Sequence, residues 1–190
     1  MIIGLIGYKG SGKDTLADYL VKKHNFVKYN FSNPIKEISK IMFNLDDKDI
    51  NDKETIIDEY NLSPRIIFQR LGTEFGQYMI YELFPELKTK IKKRTFWLKH
   101  FTHFLNKNKG KNIVIADVRF IHEFQYLEEL NCIFIRIIKN KIKNDKHISE
   151  NELNNIIKNQ YILNNNETIS DLESNFEKLN LFNNLKLFYY

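Results

Sequence analysis

Cysteine occurs once in this chain of 190 residues, as Cys132. A single thiol excludes an internal disulfide and a cysteine-built zinc site, and it suits a reducing, intracellular setting. No apolar run approaches the roughly 18 residues that a membrane-crossing helix needs. The opening Met1-Ile2-Ile3-Gly4-Leu5-Ile6 has no basic n-region, so neither a signal peptide nor a transit peptide is expected, and no membrane partner. Arginine is scarce. There are five, Arg65, Arg70, Arg94, Arg119 and Arg136, against 24 lysines. The 26 Ile and 23 Asn belong to the same bias, which an AT-rich coding sequence would produce. Much of the lysine is then drift on a solvated surface. An arginine kept against that drift is a candidate for a site that needs a planar, bidentate cation, with chance retention as the competing reading.

What is present is enough for one folded domain. The chain is 43% hydrophobic and 14% aromatic, which excludes general disorder. Its net charge of +5 suits a polyanionic ligand such as a nucleotide. It does not make a nucleic-acid binder, because the lysines are scattered among acids and the aromatics recur at helical spacing. No stable nucleic-acid complex is therefore expected.

Continuous apolar runs at 2–6, 113–117 and 132–138, with shorter ones at 26–31 and 161–163, read as five buried strands. Helical spacing follows Ser11, again over 35–42, from Ser63-Pro64 to Gly72, from Thr73 to Pro85, over 92–106, over 123–130, and from the Ser170-Asp171-Leu172-Glu173 pattern onward. Gly72 suits a helix end and Thr73 the cap of the next helix. Strands alternating with helices at both ends predict an α/β fold with a five-stranded parallel sheet flanked by helices. Residues 1–30 and 112–190 form the core of this single domain. Residues 31–111 form a helical insertion in the sheet, not a second domain with its own core.

The strongest motif is Gly7-Tyr8-Lys9-Gly10-Ser11-Gly12-Lys13-Asp14-Thr15. It fits G-x-x-x-x-G-K between a predicted strand and a predicted helix, the context a phosphate-binding P-loop requires. Glycines let consecutive backbone N–H groups converge on phosphate oxygens, and the helix N-terminus adds positive potential. Lys13 reaches the β- and γ-phosphates of a nucleoside triphosphate. The hydroxyl residue usual after that lysine is replaced by Asp14, and Thr15 follows, placed to orient Mg2+ or a phosphate. A P-loop GTPase is excluded, because neither N-K-x-D nor D-x-x-G occurs.

Several stretches in order resemble the deoxynucleoside monophosphate kinases of phages and large DNA viruses. They are the Gly-Ser-Gly-Lys-Asp-Thr loop, Phe31 to Lys36, Ser63-Pro64-Arg65 with Gln69-Arg70-Leu71-Gly72-Thr73-Glu74, Asp117-Val118-Arg119-Phe120 with Glu123, His147-Ile148-Ser149-Glu150, and Tyr161 to Asn165. Gln77 departs from the pattern, since that family often carries arginine a few residues after G-T-E. The resemblance implies a P-loop NTPase fold and ATP-dependent phosphorylation of nucleoside or deoxynucleoside monophosphates, supplying DNA precursors with ATP and Mg2+. It implies a lid-like loop over 139–150 and a cytoplasmic protein, in host cytoplasm if the source is viral. Related small-molecule kinases, acting on phosphomevalonate or dephospho-coenzyme A, are the alternative. A homodimer stays open.

The expected phosphate-donor site is Gly7, Lys9, Gly10, Ser11, Gly12, Lys13, Asp14 and Thr15, with Asn165 by resemblance. Lys13, Arg119 and Arg136 are the expected catalytic cations, and Thr15 and Asp117 the expected metal-side residues. Asp117 ends an apolar strand, where an acid either orients Mg2+ or caps a turn. Arg119 either clamps a phosphate or pairs with Glu123. Expected substrate-side residues are Lys36, Arg65, Gln69, Arg70, Glu74, Asp117 and Arg119. Gln69 either reads a base edge or is an exposed polar residue, and Glu74 either meets substrate or favours the first turn of its helix.

Overall fold

The computed structural model describes residues 1–140, 152–153 and 160–184, and the chain clusters into two compact units, Met1–Tyr29 with Gly110–Tyr190 and Asn30–Lys109. The expected lid over 139–150, apart from Lys139 and Asn140, lies outside the described residues, as do His147, Ser149 and Glu150.

The first unit is built on β1 (Ile2–Ile6), β2 (Val27–Tyr29), β3 (Ile113–Ile115), β4 (Ile133–Ile138) and β5 (Gln160–Asn164). All pairings are parallel, in the order β2-β3-β1-β4-β5. This is the five-stranded α/β arrangement that the apolar runs predict. Residues with no polar partner along the strand must be covered on both faces, and they are. Ile3, Leu5, Val114, Ala116, Ile135, Ile137 and Leu163 share one face, by the strand registers. They join Leu16, Ala17 and Leu20 of α1 (Lys13–His24) in one core with Leu172 and Phe176. On the other face, Phe124 of α7 (Ile121–Glu129) stacks on Phe134 with centroids 4.1 Å apart. Leu172 and Phe176 belong to α8 (Ile169–Glu177), which is capped by Thr168, whose hydroxyl accepts from the Asp171 amide. The cap therefore sits two residues before the Ser170 expected from sequence. A last short helix, α9, spans Leu181–Asn184.

The second unit carries α2 (Asn33–Met42), α3 (Asp47–Asn51), α4 (Pro64–Gln69), a π-helix (Arg70–Met79), α5 (Ile80–Leu83), a 3-10 turn (Pro85–Thr89) and α6 (Leu98–Lys107). Contrary to the sequence expectation, it has an apolar cluster of its own. Leu45, Ile67 and Leu71 are its buried centre, and Ile35, Ile38, Phe43, Phe68 and Phe75 pack on it.

Two helix boundaries differ from the sequence reading, and both have a physical cause. Gly72 does not end a helix. Pro64 to Leu83 winds without a gap, α then π then α. Gly72 and Gly76 are there for close approach. A Cβ on Gly72 would lie 2.8 Å from Ile35 Cδ1, and one on Gly76 would lie 2.0 Å from Trp97 Nε1. The buried Trp97 indole donates to the Gly72 carbonyl at 3.0 Å, a side-chain bond of the kind that accompanies local rewinding of a helix. The helix expected from Lys92 starts only at Leu98, because Arg94 takes φ +70° and breaks the run.

Gly76→Ala sets two effects against each other. Alanine in a helix interior gains about 1 kcal/mol over glycine, but here the methyl group collides with a buried indole, and overpacking costs about 1–3 kcal/mol. Losing the Trp97 hydrogen bond adds about 1 kcal/mol more. Urea unfolding should show net destabilisation of about 2 kcal/mol. A neutral or stabilised variant would contradict this packing.

Candidate active site

The carboxyl ends of parallel strands are where a doubly wound sheet binds ligands, next to the strand where chain direction switches. Here that strand is β1, flanked by β3 and β4. Ile6, its last residue, is followed directly by Gly7. Gly7 has φ +152° and Gly12, at the start of α1, has φ +106°. Both values lie where side chains are strained, and space forbids them as well. A Cβ on Gly7 would lie 2.6 Å from the Ile137 carbonyl, and one on Gly12 would lie 2.4 Å from Asn165 Nδ2. The loop is thus a turn that has no room for a side chain at either Gly7 or Gly12, which suits a phosphate-binding loop.

Lys13 is 7% exposed. Its ammonium donates to the Gly7 carbonyl at 2.5 Å and to the Tyr8 carbonyl at 2.8 Å, so a buried positive charge stands on the loop itself. Ser11 Oγ is buried and has no hydrogen-bond partner among the described residues. A buried unpaired hydroxyl is costly, and a phosphate oxygen would satisfy it. Asn165 follows β5, is 8% exposed, and donates through Nδ2 to the Ser11 carbonyl at 2.8 Å. It braces the loop from behind.

Asp14 behaves differently from the rest of the loop. Its carboxylate is 76% exposed and lies 2.9 Å from Lys28 Nζ, which also meets Asp18 at 2.9 Å. That leaves its backbone amide, in the first turn of α1, as the part suited to an anion. Thr15 is half-buried one residue on, and Lys9 is exposed.

Arg136 of β4 pairs in register with Ile6. On the other side of β1, β3 ends at Ile115, opposite Gly4, and Asp117 follows it by two residues. The sheet therefore brings an acid and an arginine to either side of the P-loop's entry. Asp117 is 8% exposed. Arg136 is half-buried and donates through Nη2 to the Leu153 carbonyl at 2.7 Å. Burial pulls its pKa below the usual guanidinium value, and the Tyr8 hydroxyl opposes this.

The loop after β3 is held by Glu123, which sequence reasoning offered only as a salt-bridge partner for Arg119. Its Oε2 instead accepts from the backbone amides of Arg119 at 2.8 Å and Phe120 at 3.0 Å. Arg119 itself is half-buried. Burial pushes the Glu123 carboxyl up to about 8, aided by the charge of Asp117 and opposed by those two amides. Tyr29, at the end of β2, has its phenol pushed far up by burial and by the charges of Asp117 and Glu123. Such a carboxyl between a tyrosine and an aspartate leaves no signal in a single sequence, beyond the Glu123 of the D-V-R-F-x-x-E pattern.

In the helical unit, Arg65 is engaged by Glu54, which accepts from Nε at 2.8 Å and Nη2 at 2.6 Å. Lys36 and Gln69 are half-buried, while Arg70 and Glu74 are exposed. π-winding changes which of these share a face. The π-helical bond closes over five residues, so neighbours lie at i+4 and i+5. The angular separation of Gln69 and Glu74 is therefore smaller than the roughly 140° that α-helical spacing would give. Sequence reasoning gave no role to Gln77. It is 1% exposed, and its Oε1 accepts from Arg94 Nε at 2.9 Å.

Comparison with known proteins bears on this arrangement. The sequence profile described as deoxynucleotide monophosphate kinase matches residues 1–63 and 43–176. A provisionally named deoxynucleotide monophosphate kinase of Acanthamoeba polyphaga mimivirus is 35% identical over 180 residues, covering 92% of this chain and 93% of its own. Among solved structures, TT1252 of Thermus thermophilus superposes with a TM-score of 0.50 at 12% identity, covering 94% of this chain and 95% of its own. A dephospho-CoA kinase of Campylobacter jejuni reaches 0.45 at 15% identity over 94% of each chain. At 12% identity the likeness to TT1252 concerns the fold alone. Among the described residues, no helix is long and apolar enough to cross a membrane.

The Glu123 carboxyl yields a stability prediction. Its folded pKa, about 8, lies above the unfolded value of 4.5. A raised pKa means that the protonated form is favoured by folding. Its stabilisation is full below pH 4.5 and is lost as pH rises through 8. Glu123→Gln keeps an acceptor for both amides but cannot ionise. Relative to Glu123→Gln, the wild type should lose a few kcal/mol between pH 5 and pH 9. Thermal melts of the two proteins at matched pH check this, and parallel curves across that range would contradict it.

Proposed function

Because the chain belongs to the deoxynucleotide monophosphate kinase family, and so is a nucleotide-binding phosphotransferase, we propose that it transfers the γ-phosphoryl group of ATP to a deoxynucleoside monophosphate and so supplies DNA precursors. The observation that carries the reading is the P-loop. A buried ammonium, an unpaired buried hydroxyl and two glycines without room for a side chain surround a turn of backbone amides.

A phosphate oxygen of the acceptor attacks the γ-phosphorus, and the bond from that phosphorus to the β–γ bridging oxygen breaks. ADP leaves with the electron pair, and the acceptor becomes a diphosphate. The acceptor is already an anion, so no strong base is needed. Catalysis is positioning and charge neutralisation. Lys13 and the loop amides hold the donor phosphates. Ser11 Oγ donates to one of their oxygens. Arg136 and Arg119 add positive charge at the carboxyl edge of the sheet, with Glu123 fixing the loop that carries Arg119. Asn165 keeps the P-loop from shifting under load. One carboxylate and one hydroxyl, Asp117 and Thr15, fit a hard cation that keeps waters and phosphates as its other ligands. Mg2+ bound there would neutralise charge on the donor phosphates. Lys36, Arg70, Gln69 and Glu74 are the residues we assign to recognition of the acceptor monophosphate.

ADP release with Mg·ATP, measured against the eight common ribo- and deoxynucleoside monophosphates, tests this directly. Turnover is expected with at least one deoxynucleotide. It should fall by about a thousandfold in Lys13→Ala, the scale expected when a principal charge-stabilising group is removed. Binding of ATP without turnover on any monophosphate would contradict the reading and favour phosphomevalonate or dephospho-coenzyme A as acceptor.

A further inference from the structure

Two adjacent residues, Glu152 and Leu153, reach separate parts of the site. Glu152 Oε1 accepts from the backbone amide of Ile121 at 3.0 Å, across 31 residues of sequence. The Leu153 carbonyl accepts from Arg136 Nη2 at 2.7 Å, across 17. Leu153 is 4% exposed, so its packed side chain anchors the pair.

Ile121 is the first residue of α7. The first four amides of a helix have no partner within it. Here the amides of Arg119, Phe120 and Ile121 follow one another, and two carboxylates take them. Glu123 Oε2 accepts from Arg119 and Phe120, and Glu152 accepts from Ile121. A carboxylate at a helix N-terminus also meets the positive end of the dipole. Glu123 comes from the same helix and shapes the turn locally. Glu152 comes from far along the chain and ties that turn to a second strand, because its neighbour holds Arg136 of β4. One line of contacts thus runs from the loop that carries Arg119, through Ile121 and Glu152, to Leu153 and the Arg136 guanidinium.

We propose that Glu152 is a positioning residue for phosphoryl transfer, holding Arg119 and Arg136 in one fixed relation. This rests on the function proposed above, which assigns both arginines to charge neutralisation, and deepens it by naming what keeps them together. Glu152 itself touches no substrate. A group that stabilises developing charge must be in place before the reaction, so its misplacement is felt in rate more than in ground-state binding.

The test measures kcat and KM for ATP and for the preferred monophosphate. The proteins are wild type, Glu152→Ala, Glu152→Gln, Glu152→Asp, Arg119→Ala, Arg136→Ala, and each arginine change combined with Glu152→Ala. Hydrogen exchange of the Ile121 amide is followed in wild type and the Glu152 variants. Glu152→Ala should lower kcat by about tenfold, the scale of one hydrogen bond to a charged group, with both KM values unchanged. Its Ile121 amide should exchange faster than in wild type. Glu152→Gln keeps the acceptor oxygen, so it should recover most of the rate and of the protection. Glu152→Asp keeps the charge but shortens the reach and should fall between, which also keeps the test open if Glu152→Ala fails to fold. In either arginine-deleted background, Glu152→Ala should cost less than it does in wild type, because part of what it positions is already gone.

A Glu152→Ala protein, or Glu152→Asp in its place, with wild-type kcat would overturn this inference and leave the kinase reading standing. So would an equal fold-loss from Glu152→Ala in all three backgrounds, which would mark a general structural role. Arginine variants with wild-type kcat would overturn it too, since nothing would need positioning. A wild type without turnover on any monophosphate would overturn the proposed function, and this inference with it.

Discussion

Everything at this site depends on a backbone turn that no side chain can share. The Gly7–Lys13 loop needs left-handed geometry at Gly12 and room beside the Ile137 carbonyl at Gly7. Only then do the amides at the start of α1 converge where an anion can meet them all. The parallel sheet supplies the rest of that constraint. With β1 between β3 and β4, the β1–β4 register sets Arg136 beside Ile6, and Asp117 follows the end of β3 on the other side. The loop, the acid and the arginine are therefore placed by strand pairing, and side-chain contacts only refine them.

Buried polar groups then hold these backbone segments in place. Asn165 holds the Ser11 carbonyl from across the sheet, and Glu123 holds two amides of the loop after β3. Gln77 does the same work in the helical unit by holding an arginine side chain. Each is desolvated, so each is costly if its partner is lost and rigid while it is kept. The family to which the chain belongs fixes the reaction class. These three residues show how this member holds its charges still.

What could be read from the sequence was what is local. The P-loop declares itself by spacing alone, and the five strands by unbroken apolar runs, because a strand covered on both faces has no polar alternation. Asn165 was reached only by family resemblance, since 154 residues separate it from the carbonyl it holds. Gly72 was misread as a helix end because glycine usually marks one, whereas here a tryptophan 25 residues away needs the space. Gln69 and Glu74 were read as lying on two helices parted at Gly72, whereas one continuous run carries both. The own core of the helical unit was missed for a similar reason. Its apolar residues are spread over α2, α4 and the π-helix, and no single stretch shows them together. Arg94 was visible as one of five arginines, but its strained backbone and its buried partner were not.

The central claim is that a phosphoryl group passes directly from a donor held by the P-loop to a deoxynucleoside monophosphate. The most direct measurement follows the phosphorus itself. The protein is incubated with γ-labelled ATP and a preferred deoxynucleoside monophosphate, and the label is traced by chromatography. The account predicts label in the deoxynucleoside diphosphate, mole for mole with the ADP formed. Label recovered as inorganic phosphate, or label remaining in ATP with every monophosphate offered, would contradict it.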